Sequence, residues 1–160
     1  PFGYGLTYAA FSYEKMQIKK ERGCIKVSCF IKNTGERSAD EVVQLYVADK
    51  ESTVIRPVKE LKGFTKIELM PGETKTVTFS LSKRAFAYFN TDLHDWHVES
   101  GEFDILIGQS SRNIVCQTVA SASAIHSRSL PFFARPVVVQ AVSLLMFFAG
   151  QPDVHGVKQP

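Results

Sequence analysis

Residues 41–64, EVVQLYVADKESTVIRPVKELKGF, decide how the rest of the chain is placed. The stretch opens on an alternation in which Val43, Leu45 and Val47 share one parity. Successive side chains of a strand point to opposite faces, so these three face a core. Val42 and Tyr46 take the other parity, and that face is therefore not purely solvent-facing. From Asp49 to Pro57 the period stops, and charged, small and β-branched residues follow without pattern. Hairpin loops usually hold about 2–5 residues, so this longer connection is either a protruding arm or a crossover between sheets. The chain is extended again from Lys59 to Met70, with Leu61, Phe64, Ile67 and Leu69 as anchors and Gly63 placed to admit a kink or bulge. Nothing in the stretch has the makings of a catalytic centre.

Towards the N-terminus the clearest strand is Cys24 to Lys32, with Ile25, Val27, Cys29 and Ile31 inward and Lys26, Ser28 and Lys32 outward. Phe30 breaks the outer pattern. Asn33-Thr34-Gly35 closes the strand with residues suited to a turn. A first strand runs from Phe11 to Lys20; Phe11 and Tyr13 share one parity and Met16 and Ile18 the other, which predicts a bulge near Glu14–Lys15. Residues 1–10 alternate aromatic groups with glycines and have little structure of their own. They become ordered by lying on a surface, either of this domain or of a neighbour.

Towards the C-terminus, Pro71-Gly72 predicts a type II turn. Glu73 to Leu81 then alternates, Val77, Phe79 and Leu81 inward against outward Thr74, Thr76, Thr78 and Ser80. Lys83 to Asn90 holds a short helical turn, and the cluster Asp92 to Val98 follows. Strands at Phe103–Gly108 and Ile114–Val119 complete a set of about seven, with turn signals about every 8–12 residues. That spacing predicts an all-β fold, a two-sheet antiparallel sandwich, because each one-faced sheet buries its apolar side against the other.

The 160 residues suffice for one domain with a real core. A net charge of +3, with no run of more than two Lys or Arg, does not support nucleic-acid binding. Cys24 and Cys29 point to opposite faces of one strand and do not bridge each other; Cys24, Cys29 and Cys116 read as small buried or half-buried thiols. The opening at Pro1 has neither an initiating Met nor a signal-peptide pattern, which suggests excision from something longer. The apolar run from Val137 to Gly150 is short of the roughly 20 residues that span a bilayer. The expected organisation is an incoming segment at 1–10, a sandwich at 11–119 and an atypical apolar tail at 120–160. That tail wraps the sandwich or another domain, stands outside the fold, or forms a short interface helix.

Candidate chemistry is sparse. Asp92, His94, Asp95 and His97 are the only dense group of metal-capable side chains, but in a strand His94 and His97 fall on opposite faces. No metal or cofactor is expected. Gly108-Gln109-Ser110-Ser111-Arg112 lacks the second glycine of a nucleophile elbow. Glu41, Glu60, Glu99 and Glu102 are available as glycosidase-type carboxylates, but strand-end carboxylates are normally solvated and no cleft is in prospect to raise one pKa. Trp96, Tyr88, Phe89, Tyr4 and Tyr8 admit a sugar-stacking platform, although sheet aromatics more often serve packing. Phe30, Val42, Tyr46 and the aromatic N-terminus together ask for a partner surface.

PFGYGLTY (1–8), NTG (33–35), EVVQLYVAD (41–49), RPVKELKGF (56–64), LMPGETKTVTFSL (69–81) and GEFDILIGQSSRNI (101–114) occur in an order that closely resembles one family. This is the C-terminal fibronectin type III-like domain of family 3 glycoside hydrolases, the β-glucosidases and β-xylosidases. The resemblance covers residues 1 to about 119 and implies an immunoglobulin/fibronectin type III-like sandwich. It also implies a parent with a catalytic barrel and an α/β sandwich domain, whose aspartate nucleophile and acid/base carboxylate perform retaining hydrolysis outside the region matched here. It assigns no catalytic residue to this chain. By the same resemblance Phe2, Tyr4 and Gly5 lead in from the preceding domain, and Arg56, Pro57, Lys59, Glu60 and Phe64 belong to the interdomain contact. A β-linked glycan is the alternative partner.

Overall fold

The computed structural model describes residues 1–121 and the strand at 139–142. The strands are β1 (Phe11–Glu21), β2 (Cys24–Asn33), β3 (Ala39–Asp49), β4 (Glu60–Leu69), β5 (Thr74–Ser82), β6 (Tyr88–Asn90), β7 (Asp95–His97), β8 (Glu102–Gly108), β9 (Ile114–Ser121) and β10 (Val139–Val142), with one 3-10 turn at Lys83–Phe86. One sheet has the order β1-β2-β5-β10, the other β4-β3-β8-β9, and β6-β7 is a separate hairpin. All pairs are antiparallel. The two larger sheets make the sandwich expected from the alternation. β10 adds to the free edge of β5, with Val139 opposite Phe79; the expectations for the rest of the 120–160 tail lie outside the described residues.

The core is built from the parities read in the sequence. Ile25, Val27, Cys29 and Ile31 of β2 and Val77, Phe79 and Leu81 of β5 are buried against Val43, Leu45 and Val47 of β3 and Phe103, Ile105 and Ile107 of β8. Phe86, delivered by the 3-10 turn, meets Phe103 edge to face at 5.2 Å. The predicted bulge in β1 is present: its register with β2 shifts between Glu14 and Gln17, and Lys15 takes φ 52°. Phe11 and Tyr13 before the bulge, and Met16 and Ile18 after it, can then all pack on the core. The Pro71-Gly72 turn closes through Glu73 N–H donating to Met70 O at 3.0 Å, with Gly72 at φ +75°.

Three expectations are corrected. Phe64 does not anchor the core: it is 64% exposed. Lys62 is an extra residue between the pairs Leu45–Gly63 and Tyr46–Leu61, and Phe64 stands opposite Gln44. Directly opposed residues share a face, so Phe64 and Leu61 join Gln44 and Tyr46 on the outer side, while Ile67 and Leu69 go inward. Tyr46 is not an exposed apolar group but is buried on that outer side. Glu41 is not a solvated strand-end carboxylate; its inward parity buries it, and the Tyr13 hydroxyl donates to it. The helical turn expected within Lys83–Asn90 is present at Lys83–Phe86, and the segment from 88 to 97 after it is a hairpin, with the turn carried through His94 at φ 50°.

Candidate functional site

The surface that carries chemistry lies at one end of the β4-β3-β8-β9 sheet, where the N-terminal segment, the 50–59 arm and the β6-β7 hairpin gather. The arm joins two hydrogen-bonded neighbours of one sheet, so it is a protruding loop and not a crossover.

Arg56 holds that arm in place. Its guanidinium donates to Asp49 Oδ2 at 3.1 Å, Glu60 Oε1 at 2.7 Å and Phe86 O at 3.4 Å, and lies 5.7 Å from the Tyr88 ring centre. The Arg56 and Asp49 side chains are only 7% and 5% exposed. Burial alone would raise the Glu60 carboxyl, but hydrogen bonds from Lys62 and Arg56 outweigh it and hold Glu60 below the usual carboxylate range. At the arm's far side Thr53 donates through its backbone and hydroxyl to Glu99. Burial pushes Glu99 up, yet those bonds bring it below its ordinary value.

The N-terminal segment is tied to the outer face of the sheet. Ser111 N–H donates to Phe2 O at 2.9 Å, and Tyr4 N–H closes a turn on Pro1 O at 3.1 Å. Gly3, at φ +76°, lies so close to Gln44 that a Cβ there would sit 1.7 Å from Nε2. Gln44 cannot easily give way, because it is buried, donates to Gln109 O and accepts from the Tyr46 hydroxyl. The PFG of the sequence is thus a fitted contact, glycine providing both the left-handed backbone and the close approach. Phe2, Tyr4, Leu6 and Tyr8 remain largely exposed.

Two hollows flank the arm. One, of about 520 Å³, brings together Phe2, Tyr46, Val58, Lys59 and Leu61. The other, of about 440 Å³, lies between residues 54–57 and the hairpin and is bordered by Arg56, Pro57, Glu60, Tyr88, Phe89 and Trp96. The structure therefore joins Phe2 with Lys59 in the first hollow, and Arg56 with Pro57 and Glu60 around the second. Phe64 stands on the outer face, and Tyr4 and Gly5 project from the tied segment without lining either hollow.

Of the aromatic residues singled out, Phe89 and Trp96 are cross-strand neighbours, edge to face at 5.5 Å, and Arg84 lies over the indole at 3.0 Å. Tyr88 meets His97 at 5.8 Å, whereas Tyr4 and Tyr8 lie with the N-terminal segment. Among the described residues no group of three or more His, Cys, Asp or Glu is assembled to hold a metal. Cys24, Cys29 and Cys116 are free thiols, Cys29 pushed up by burial and by Cys116 beside it. Two elements were missed in the sequence. Gln44, an amide amid apolar strand residues, marked the contact with Gly3. Asn33 links the two sheets, donating to Leu69 O and Arg37 O.

Residues 41–111 match the family described as the fibronectin type III-like domain. This chain carries a fibronectin type III-like domain of the family 3 glycosidase kind. The domain is 58% identical over 119 residues to the thermostable beta-glucosidase B of Acetivibrio thermocellus, covering 72% of this chain and 16% of that protein. It is 49% identical over 123 residues to an exo-alpha-(1->6)-L-arabinopyranosidase of Bifidobacterium breve, covering 76% and 16%. Among solved structures, the GH3 beta-glucosidase of Bifidobacterium adolescentis superposes with a TM-score of 0.74 at 40% identity, over 83% of this chain and 20% of that one. The beta-glucosidase of Kluyveromyces marxianus in complex with glucose gives 0.72 at 45%, over 76% and 15%. The fibronectin type III-like domain thus corresponds to a small accessory part of these enzymes and not to their catalytic core.

Proposed function

We propose that this chain belongs to a longer β-glucosidase-type hydrolase and packs against its catalytic barrel and α/β sandwich domains. In this reading residues 1–10 are the incoming segment, 11–119 the docking sandwich and 120–160 an appended tail. The parent removes terminal β-linked sugars by a retaining mechanism, with both reacting carboxylates supplied by the other domains. The relatives include a glucosidase and an arabinopyranosidase, and a β-glucoside is the substrate proposed on the stronger similarity.

One observation carries the reading. The segment at 1–5 is bolted to the sheet by the Ser111–Phe2 bond and the Gly3–Gln44 contact, yet holds Phe2 and Tyr4 largely uncovered on the face where exposed Phe64 stands opposite Gln44. Such clustered exposed rings mark contact surfaces. Arg56 is turned into the domain and acts by fixing the arm; Pro57, Lys59, Glu60 and Phe64 are the contacts proposed around it.

The test is a hybrid in which this chain replaces the matching part of the Acetivibrio thermocellus enzyme. Hydrolysis of an aryl β-glucoside should return, should fall with Tyr4→Asp combined with Phe64→Asp, and should be absent from this chain alone. A hybrid no better than the truncated enzyme, or turnover by the isolated chain that depends on its own carboxylates, would overturn the proposal. A β-linked glycan is a second partner, favoured by the aromatic hollow between arm and hairpin.

A further inference from the structure

An edge strand offers a row of unpaired N–H and C=O groups to any chain that can lie beside it. Without β10, the two larger sheets would end on β1, β5, β4 and β9. Three of these edges are irregular on the edge strand itself. β1 sets Lys15 and Met16 against Cys29 of β2, β4 carries Lys62 as an extra residue against β3, and β9 carries Val115 as an extra residue against β8. Such bulges twist an edge away from flat pairing. β1 and β4 add charge as well, Lys19, Lys20 and Glu21 on the one and Lys66 and Glu68 on the other. β9 is uncharged but lies against β1 of the opposite sheet.

Among the described residues β5 is the exception. Its ladder with β2 runs from Cys24–Ser82 to Lys32–Thr74 without a register shift. Residues 76–82 read TVTFSLS, with no charge, proline or glycine, the composition of a segment that pairs readily with its like. This is the edge that β10 covers. Val139–Val142 pairs antiparallel with Thr76–Phe79 in continuous register and also lies against β4 of the other sheet. We infer that residues 139–142 are a built-in cap for the β5 edge, and that the edge beneath is a self-association surface, pairing antiparallel with β5 of a second copy once the cap is withdrawn. Main-chain bonds supply the affinity in such strand addition. An uncharged strand meets no like-charge penalty from its copy, and the outward row Thr74, Thr76, Thr78 and Ser80 supplies hydroxyl pairs across the seam. A strand paired antiparallel with its own copy has two-fold symmetry, so the contact closes on a dimer. The inference is independent of the docking of upstream domains, whose surface lies on the other sheet.

The test uses the full chain. At low concentration, hydrogen exchange should find protection at the N–H groups of Thr76–Phe79 that point away from β2. Gln140→Pro combined with Ala141→Pro removes ladder donors from β10 and should release that protection. In sedimentation the same variant should rise about twofold in mass with concentration, while wild type stays monomeric. Adding Thr78→Lys, which places a charge on the bared edge, should return the variant to the monomer. Several results would overturn the proposal: free exchange at all those N–H groups in wild type, or association of wild type to the same extent as the proline variant. So would a proline variant that stays monomeric or loses its β-sheet circular dichroism, or a dimer indifferent to Thr78→Lys.

Discussion

Replacing Asn33 by Ala should be among the most damaging single changes to this domain, although Asn33 lies far from any reacting group. The side chain is fully buried. Its amide donates to Arg37 O at 2.8 Å and to Leu69 O at 2.9 Å, and its Oδ1 accepts from Gly35 N–H at 2.9 Å. The Leu69 bond runs from the end of β2, in one sheet, to the end of β4, in the other, and the other two hold the β2–β3 connection. Three hydrogen bonds of this side chain, one buried and two part-buried, at about 1 kcal/mol net each come to roughly 3 kcal/mol. For a domain of roughly 120 residues that corresponds to a fall in melting temperature of about 12 °C. Asn33→Asp provides the sharper test, because it keeps the acceptor for Gly35 but points a carboxylate at two carbonyls. It should be less stable than the Ala variant at pH 7. Such a carboxyl would have a raised folded-state pKa, so the native state holds the extra proton and stability falls as pH rises through the window above about 3.9. Lowering the pH should therefore narrow the gap between the Asp variant and wild type. Thermal and urea unfolding followed by circular dichroism measure all three proteins. An Ala variant melting within about 3 °C of wild type, or an Asp variant as stable as Ala at pH 7, would refute the account of Asn33 as the link between sheets.

Other substitutions probe the surface end. Gly3→Ala should cost about 1 kcal/mol or more and release the N-terminal segment, read as loss of hydrogen-exchange protection at the Ser111 N–H; retained protection would count against the Gly3–Gln44 contact. Arg56→Met leaves Asp49 buried without its cation and should cost about 3–5 kcal/mol, with new protease cleavage in 50–58; an uncleaved, equally stable variant would show that the arm is held otherwise. Burial pushes the Glu41 carboxyl up, partly offset by hydrogen bonds from Tyr13 and Gln109. Its contribution is then most favourable when it is protonated and declines as pH rises through its raised pKa. Glu41→Gln should accordingly gain stability on wild type at pH 7 and show little gain at pH 4 in urea titrations, and a pH-independent difference would contradict that sign.

Period-two alternation was enough to assign the strands and their inward faces, since in β2, β3 and β5 every second side chain must leave the sheet on the same side. The β1 bulge was legible for the same reason: a change of parity within one strand has few other remedies. Phe64 was misread as an anchor against its own parity, which is opposite to that of Ile67 and Leu69 with no register shift between them; Leu61 was misread because one unpaired residue, Lys62, reverses its face, and an extra residue in a ladder exists only relative to its partner strand. Glu41 and Tyr46 followed the same logic. Parity predicts which way they point, but the hydroxyl of Tyr13 and the contact of the N-terminal segment with the outer face arrive from positions distant in the chain.

Sequence alone therefore determined the layered all-β fold, because alternation is a local property of the backbone. It did not determine which carboxylate was buried, whether the 50–59 connection was an arm or a crossover, or that Phe89 and Trp96 border one hollow with Asp92. Those depend on strand pairing and on contacts between residues far apart in the chain, and only the assembled sandwich brings such groups within hydrogen-bond or ring-contact distance.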